Sequence, residues 1–188
     1  AAVAAAHTAM CARCRREVAM LERIGEALMS ELAPAPLERG EPPTRTAAAM
    51  QHGRHRKPDG EDGGLPWPVA RLVTGGLDAV EWRWLGPGVR DRRLPLAGAG
   101  TLRLLRVAPR RNVPEHGHGG TELTLVLRGS FYDETGRYCR GDVSELDESV
   151  AHQPVTDSEG DCICLVASER PEQFRGLIAR QWQRLRRP

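Results

Sequence analysis

Three residues in one short stretch carry donor atoms at a spacing that suits a metal ion. They are His116, His118 and Glu122, within Glu115-His116-Gly117-His118-Gly119-Gly120-Thr121-Glu122. Along a strand, side chains two residues apart leave the same face. His116 and His118 are therefore expected to point inward together while Gly117 faces away. Gly119-Gly120 lets the chain turn, and Glu122 re-enters on the neighbouring strand. Two imidazoles and a carboxylate from adjacent strands form three corners of a metal site. The competing reading, surface histidines in a Gly-rich turn, does not account for the inward pair and the placed glutamate together.

A second set lies near the start: His7, Cys11 and Cys14, four and then three residues apart. On a helix all three project from one face. Imidazole and thiolate donors suit tetrahedral zinc, and Arg13, Arg15 and Arg16 beside Cys14 favour the thiolate form. A closed structural zinc needs four ligands, and this cluster has three. A redox Cys-x-x-Cys pair would be expected in a βαβ setting, which is absent. Incidental helix cysteines are the remaining alternative. Cys162 and Cys164, two apart in an apolar run, place both sulfurs on one face of a predicted strand. They read either as buried structural thiols or as redox-sensing residues. Cys139 reads as structural, and His52 and His55 as solvated loop histidines. No residue of the chain stands out as catalytic.

The elements that must position these groups fall into three regions. Residues 1–33 have helical period, with Val18, Leu21, Ile24, Leu28 and Leu32 recurring at three- and four-residue steps. Residues 34–66 are a Pro/Gly-rich linker, with room for one helical turn at Thr46 to Met50. Residues 67–188 carry strand punctuation. Predicted strands are Val80–Leu85, Thr101–Ala108, Glu122–Leu127, Ser130–Asp133, Tyr138–Cys139, Ala151–Val155 and Cys162–Ala167. After Pro171 a helical period runs through Phe174, Leu177, Ile178, Trp182 and Leu185. A mainly β fold is expected, an antiparallel barrel or jelly roll preceded by a small helical segment.

The 188 residues suffice for one sizeable domain and an appendage. A net charge of +2 implies no global attraction to nucleic acid or membrane. No run approaches the roughly 20 apolar residues of a membrane helix, and the alanine-rich start lacks the order of a secretory signal. Five cysteines, an odd count in close-set clusters, argue for reduced thiols and a cytoplasmic setting. The chain opens on Ala1 as if within a helix, so further helical sequence is expected upstream.

The His-x-His, three residues, Glu, six residues, Gly129 order resembles the first motif of the cupin family. Arg110 stands where that family's leading Gly would fall. A looser second motif opens at Gly141-Asp142, and the resemblance implies His152 as a fourth ligand. Ala6-His7-Thr8-Ala9-Met10-Cys11-Ala12-Arg13-Cys14-Arg15 looks like the zinc element of zinc-binding anti-sigma domains, in which a further His comes from an earlier helix. A zinc-binding anti-sigma segment, a linker and a C-terminal cupin together resemble the ChrR-type anti-sigma factors over nearly the whole chain. Both Glu122 to Phe131 and Asp161-Cys162-Ile163-Cys164-Leu165 are similar to that group in particular.

The resemblance implies an extracytoplasmic-function sigma factor as partner, released under singlet oxygen or organic peroxide, with zinc as cofactor. Three His and one Glu also accept manganese, iron, nickel or copper. Pairing of two barrels into a homodimer is compatible with the family. The other function class is a metal-dependent cupin enzyme, a dioxygenase or isomerase acting on a small molecule. That reading leaves His7, Cys11 and Cys14 unexplained.

Overall fold

The computed structural model describes residues 2–34, 65–96, 98–170 and 173–174. The helices are α1 (Ala2–Met10), α2 (Ala12–Ser30) and α3 (Trp67–Ala70), with a 3₁₀ turn at Leu77–Ala79. The strands are β1 (Arg83–Gly86), β2 (Val89–Leu94), β3 (Thr101–Val107), β4 (His116–Gly117), β5 (Glu122–Arg128) and β6 (Ser130–Asp133). After them come β7 (Gly136–Cys139), β8 (Val143–Leu146), β9 (Ala151–His152), β10 (Val155–Thr156), β11 (Cys162–Ser168) and β12 (Gln173–Phe174). Two compact units result: Ala1–Cys11 with Glu61–Pro188, and Ala12–Gly60. The helical run at the start is thus interrupted at Cys11, and its first part packs with the strands.

In the larger unit, a six-stranded antiparallel sheet has the order β1-β2-β3-β11-β5-β8. Two three-stranded sheets, β10-β6-β7 and β12-β4-β9, accompany it. The seven-residue β11 lies between β3 and β5 and pairs along its length with both. Because side chains alternate, each of these strands supplies two faces. Cys162, Cys164 and Val166 join Val126 and Phe131 in the barrel interior. Leu85, Val89 and Val107 extend that interior. The other face of the sheet, with Leu104, Leu125 and Leu165, meets Val3 and Ala6 of α1 together with Leu65, Val69 and Leu77. Both faces are buried, so β11 reads as a continuous apolar run rather than an alternating one.

Most expected strands are present with shifted ends. The segment expected from Val80 becomes strand only at Arg83, and Val80 joins the outer core instead. Neither β2 nor β8 has a counterpart among the expected strands. β2 reads Val-Arg-Asp-Arg-Arg-Leu, too charged to look like sheet. It is stabilised by Asp91, 2% exposed, which accepts from Arg83 Nε at 3.0 Å and from Nη2 at 3.2 Å on β1. Gln173–Phe174 form β12 against β4, where a helical period was expected. The remainder of that expected helix lies outside the described residues. So do residues 35–64, with the turn at Thr46 to Met50 and with His52 and His55. Leu65, at the end of the expected linker, is fully buried.

Gly129 turns β5 into β6 at φ 73°, and a Cβ there would sit 2.7 Å from the Asp161 carbonyl oxygen. Close backbone approach therefore requires glycine at this place in the motif. Arg110, standing where the cupin pattern has its other glycine, adopts φ 54° and is the only non-glycine with positive φ among the described residues. Its N–H donates to the Asp157 carbonyl at 3.2 Å. The left-handed conformation costs an ordinary residue about 1–2 kcal/mol. Arg110→Gly is expected to leave stability equal or higher, and Arg110→Val to lower it by about 1–2 kcal/mol, since β-branched side chains fit this region worst. Urea titrations of both variants check this; equal loss in both would contradict it.

Candidate metal centre

The short ladder between β4 and β9 puts His116 directly opposite His152. His118 directly follows β4, and Glu122 opens β5. The structure thus brings together all four residues that the sequence and its resemblance single out. Each is at most 6% exposed, and one donor atom from each lies within 4.8 Å of the others. Neighbouring groups fix the outer nitrogens of two rings. His116 Nδ1–H donates to the Pro114 carbonyl at 2.9 Å, and His152 Nδ1–H to Asp133 Oδ2 at 2.7 Å. The inner Nε2 atoms of the two rings consequently face each other, 3.2 Å apart.

With both protons on the outer nitrogens, two lone pairs confront one another in a water-poor interior. A cation between them relieves this. His118 Nε2 is buried without a hydrogen-bond partner among the described residues, a state that costs stability unless something ligates it. The residues therefore fit a bound metal ion. Protonation states agree with that role, because metal ligands must be free of protons. Burial, reinforced by the His152 ring, lowers His116 to about 4 despite the favourable Pro114 carbonyl. Burial alone would raise the Glu122 carboxyl. The contact with His118, the charge of Arg103 and a hydrogen bond from Ser168 outweigh it and hold Glu122 at about 2. Ser168 Oγ donates to Glu122 Oε2 at 2.7 Å.

Several of these supporting groups were not singled out for this role from sequence. Asp133 lies nineteen residues before His152, and only the folding of β6 against β10 brings them together. Thr135 donates to Asp133 Oδ1 through its N–H (2.8 Å) and its hydroxyl (2.5 Å). Burial opposes ionisation of Asp133, but the bonds from Thr135 and His152 keep its carboxyl below the usual range. Such a carboxylate–histidine pair orients a ligating ring and raises its basicity.

The other sequence-predicted residues are placed as follows. Cys162 and Cys164 are buried, with sulfurs 3.7 Å apart, and both line the same cavity as His116, Glu122 and His152. The hydrogen bond with Cys162, then burial, pushes the Cys164 thiol well above the ordinary thiol range. His7 and Cys11 belong to the larger unit, and Cys14 stands in the first turn of α2; all three are half-buried. His7 Nδ1–H donates to the Gly141 carbonyl at 2.9 Å. The donor types of His7, Cys11 and Cys14, borderline nitrogen and soft sulfur, fit zinc. Cys139 is exposed.

Residues 71–171 match the family model described as the ChrR cupin-like domain. The chain is 39% identical over 177 residues to the anti-sigma-E factor ChrR of Cereibacter sphaeroides, covering 94% of this chain and 83% of that protein. It also resembles a chain in the crystal structure of Rhodobacter sphaeroides SigE in complex with the anti-sigma ChrR. That similarity has a TM-score of 0.71 and 38% identity, over 88% of this chain and 86% of the other.

Removal of the ring-orienting carboxylate tests the geometry. Asp133→Ala is expected to weaken metal binding in the barrel by about 10–100-fold, read by chelator competition. An unchanged affinity would show that His152 takes no direction from Asp133.

Proposed function

Because the chain belongs to the ChrR cupin-like family, we propose that it is an anti-sigma factor that sequesters an extracytoplasmic-function sigma factor and releases it under oxidative stress. One observation carries the reading. α2 has nineteen residues and none is buried. Val18, Leu21, Ile24 and Leu28 recur at helical spacing, and each is 41–62% exposed. An apolar stripe of this kind is stabilised when a partner helix covers it. The similarity to a chain whose structure is described as a complex with SigE supports a sigma factor as that partner. Such a factor works beside RNA polymerase, so the reading places the chain in the cytoplasm.

Zinc is the proposed metal in both clusters. His116, His118, Glu122 and His152 would hold it in the barrel, and His7, Cys11 and Cys14 would contribute to the second site. A redox-inert ion with four protein ligands supplies structural closure rather than turnover. Manganese, iron, nickel or copper would accept the barrel donors too. The two thiolates of the second site make zinc the better match there.

Cys162 and Cys164 are the proposed redox-sensing pair, responding to singlet oxygen or organic peroxide. A hydroperoxide would oxidise one thiol to a sulfenic acid and leave as the alcohol. The second thiol would then displace water to form a disulfide. Two residues along a strand span about 6.6–6.8 Å between Cα atoms, at the upper end of what a disulfide tolerates. Closing that bond would pull on β11, which pairs with both β3 and β5. The strain reaches the sheet face on which α1 packs. Release of the sigma factor requires that the oxidised form bind it less tightly than the reduced form.

Co-expression with an extracytoplasmic-function sigma factor tests the first part. Leu21→Glu with Ile24→Glu is expected to abolish co-purification while metal content per chain stays the same. Retention of the partner by this variant would remove α2 from the interface. Cys162→Ser with Cys164→Ser is expected to keep the complex intact under oxidant doses that dissociate the parent. Release at the parent's dose would exclude the pair from sensing.

A further inference from the structure

One ligand candidate of the N-terminal cluster is held by the strand domain itself. Val3 and Ala6 of α1 are buried against Leu104, Leu125 and Leu165. That docking brings His7, the next residue, to the turn between β7 and β8. There His7 Nδ1–H donates to the Gly141 carbonyl at 2.9 Å, across 134 residues of chain. Both residues belong to the larger unit. A carbonyl oxygen only accepts, so the bond requires a proton on Nδ1. An ion bound while this contact persists is therefore taken by Nε2. The main chain of His7 also accepts from Cys11 N–H at 2.7 Å, which fixes the next donor residue to the same helical turn.

The acceptor is anchored in turn. Gly141 N–H donates to the Val126 carbonyl at 2.9 Å, and Val126 N–H to the Asp142 carbonyl at 3.1 Å. Asp142 N–H donates to the Cys139 carbonyl at 2.9 Å, and its carboxylate accepts from Cys139 N–H at 2.8 Å. Val126 lies within β5 and is fully buried. The Gly141 carbonyl is thus tied to a central strand rather than to a loose loop. Gly141 has φ 97°, although a Cβ there would meet no atom within 4 Å. Glycine at this position serves the direction of its peptide, not a shortage of space.

We infer that the Gly141 carbonyl is a positioning group of the N-terminal zinc site, so that the barrel supplies part of the affinity of His7 for the ion. A ligating imidazole whose other nitrogen donates to a fixed carbonyl is held in orientation and made more basic. The inference rests on the zinc reading of His7, Cys11 and Cys14 proposed above. The effect is reciprocal. Zinc on Nε2 draws electron density from the ring and makes Nδ1–H a stronger donor. Whatever factor the carbonyl adds to zinc affinity, zinc adds to the hold of His7 on the turn.

The test uses the full chain with cobalt(II) and zinc as probes. Thiolate-to-cobalt absorption reports the Cys11 and Cys14 site, because the barrel ligands include no sulfur, and its loss in Cys11→Ser assigns it. Gly141→Ala is strained at this φ and is expected to weaken metal binding at that site about 10–100-fold in chelator competition, with barrel affinity unchanged. Gly141→Asn, which enters left-handed conformations more readily, is expected to recover most of the loss. Hydrogen exchange of the parent gives a second reading that does not depend on a turn variant. Zinc at the thiolate site is expected to slow exchange of the Gly141 amide about tenfold, and Cys11→Ser is expected to remove the effect. Parent-like affinity in Gly141→Ala would overturn the inference, as would equal loss at both metal sites, which marks a glycine needed only for folding. Gly141 exchange that is the same with and without zinc would overturn it too. A parent chain without thiolate absorption would overturn the zinc reading instead.

Discussion

Two buried imidazole nitrogens facing each other at 3.2 Å inside the barrel set the terms for this protein. Neither ring is free to turn away. Pro114 holds one through a backbone carbonyl and Asp133 holds the other through a carboxylate. The register of β4 with β9 places the rings opposite one another, and Glu122 brings a negative charge to the same point. Such an arrangement is costly empty of positive charge and favourable around a cation. Much of the surrounding structure serves to hold it. Gly129 permits the tight return from β5, β6 carries Asp133 to its histidine, and Ser168 on β11 steadies the glutamate.

The clustering of His116, His118 and Glu122 was legible because their placement is local. Period-two alternation puts His116 and His118 on one face, and a Gly-Gly turn brings Glu122 back within a few residues. Cys162 and Cys164 were legible for the same reason. His152 is different: thirty-six residues separate it from His116, and only a family pattern pointed to it. Asp133, Arg103 and Ser168 lacked even that, because their roles depend on strand partners distant in sequence. β2 was missed because four of its six residues are charged. Its pairing rests on the buried Asp91–Arg83 contact, and no single-strand pattern reports such a contact. The helical start was read correctly as helix. Its division after Cys11 depends on what Val3 and Ala6 pack against, which periodicity alone does not specify.

The central sheet links the chemistry of one face to the packing of the other. Along β11, Cys162, Cys164 and Val166 look into the cavity while Ile163 and Leu165 contact the outer core. Close-packed strands transmit displacement poorly by bending and well by shifting between discrete packings. An event that alters the inner row therefore acts on the row behind it. The same strand thus borders both the barrel interior and the helix packed on its back.

The docking of α1 against that sheet also has a consequence for biosynthesis. Val3 and Ala6 are covered by Leu104, Leu125 and Leu165, and the last of these emerges from the ribosome about 160 residues later. At roughly 5–20 residues per second, the interval is about 8–30 s. During it the first helix has no sheet to fold onto, and its small apolar side chains stay in water. Chain elongation, not helix formation, thus limits when α1 reaches its native place, and a nascent-chain chaperone has that long to intervene.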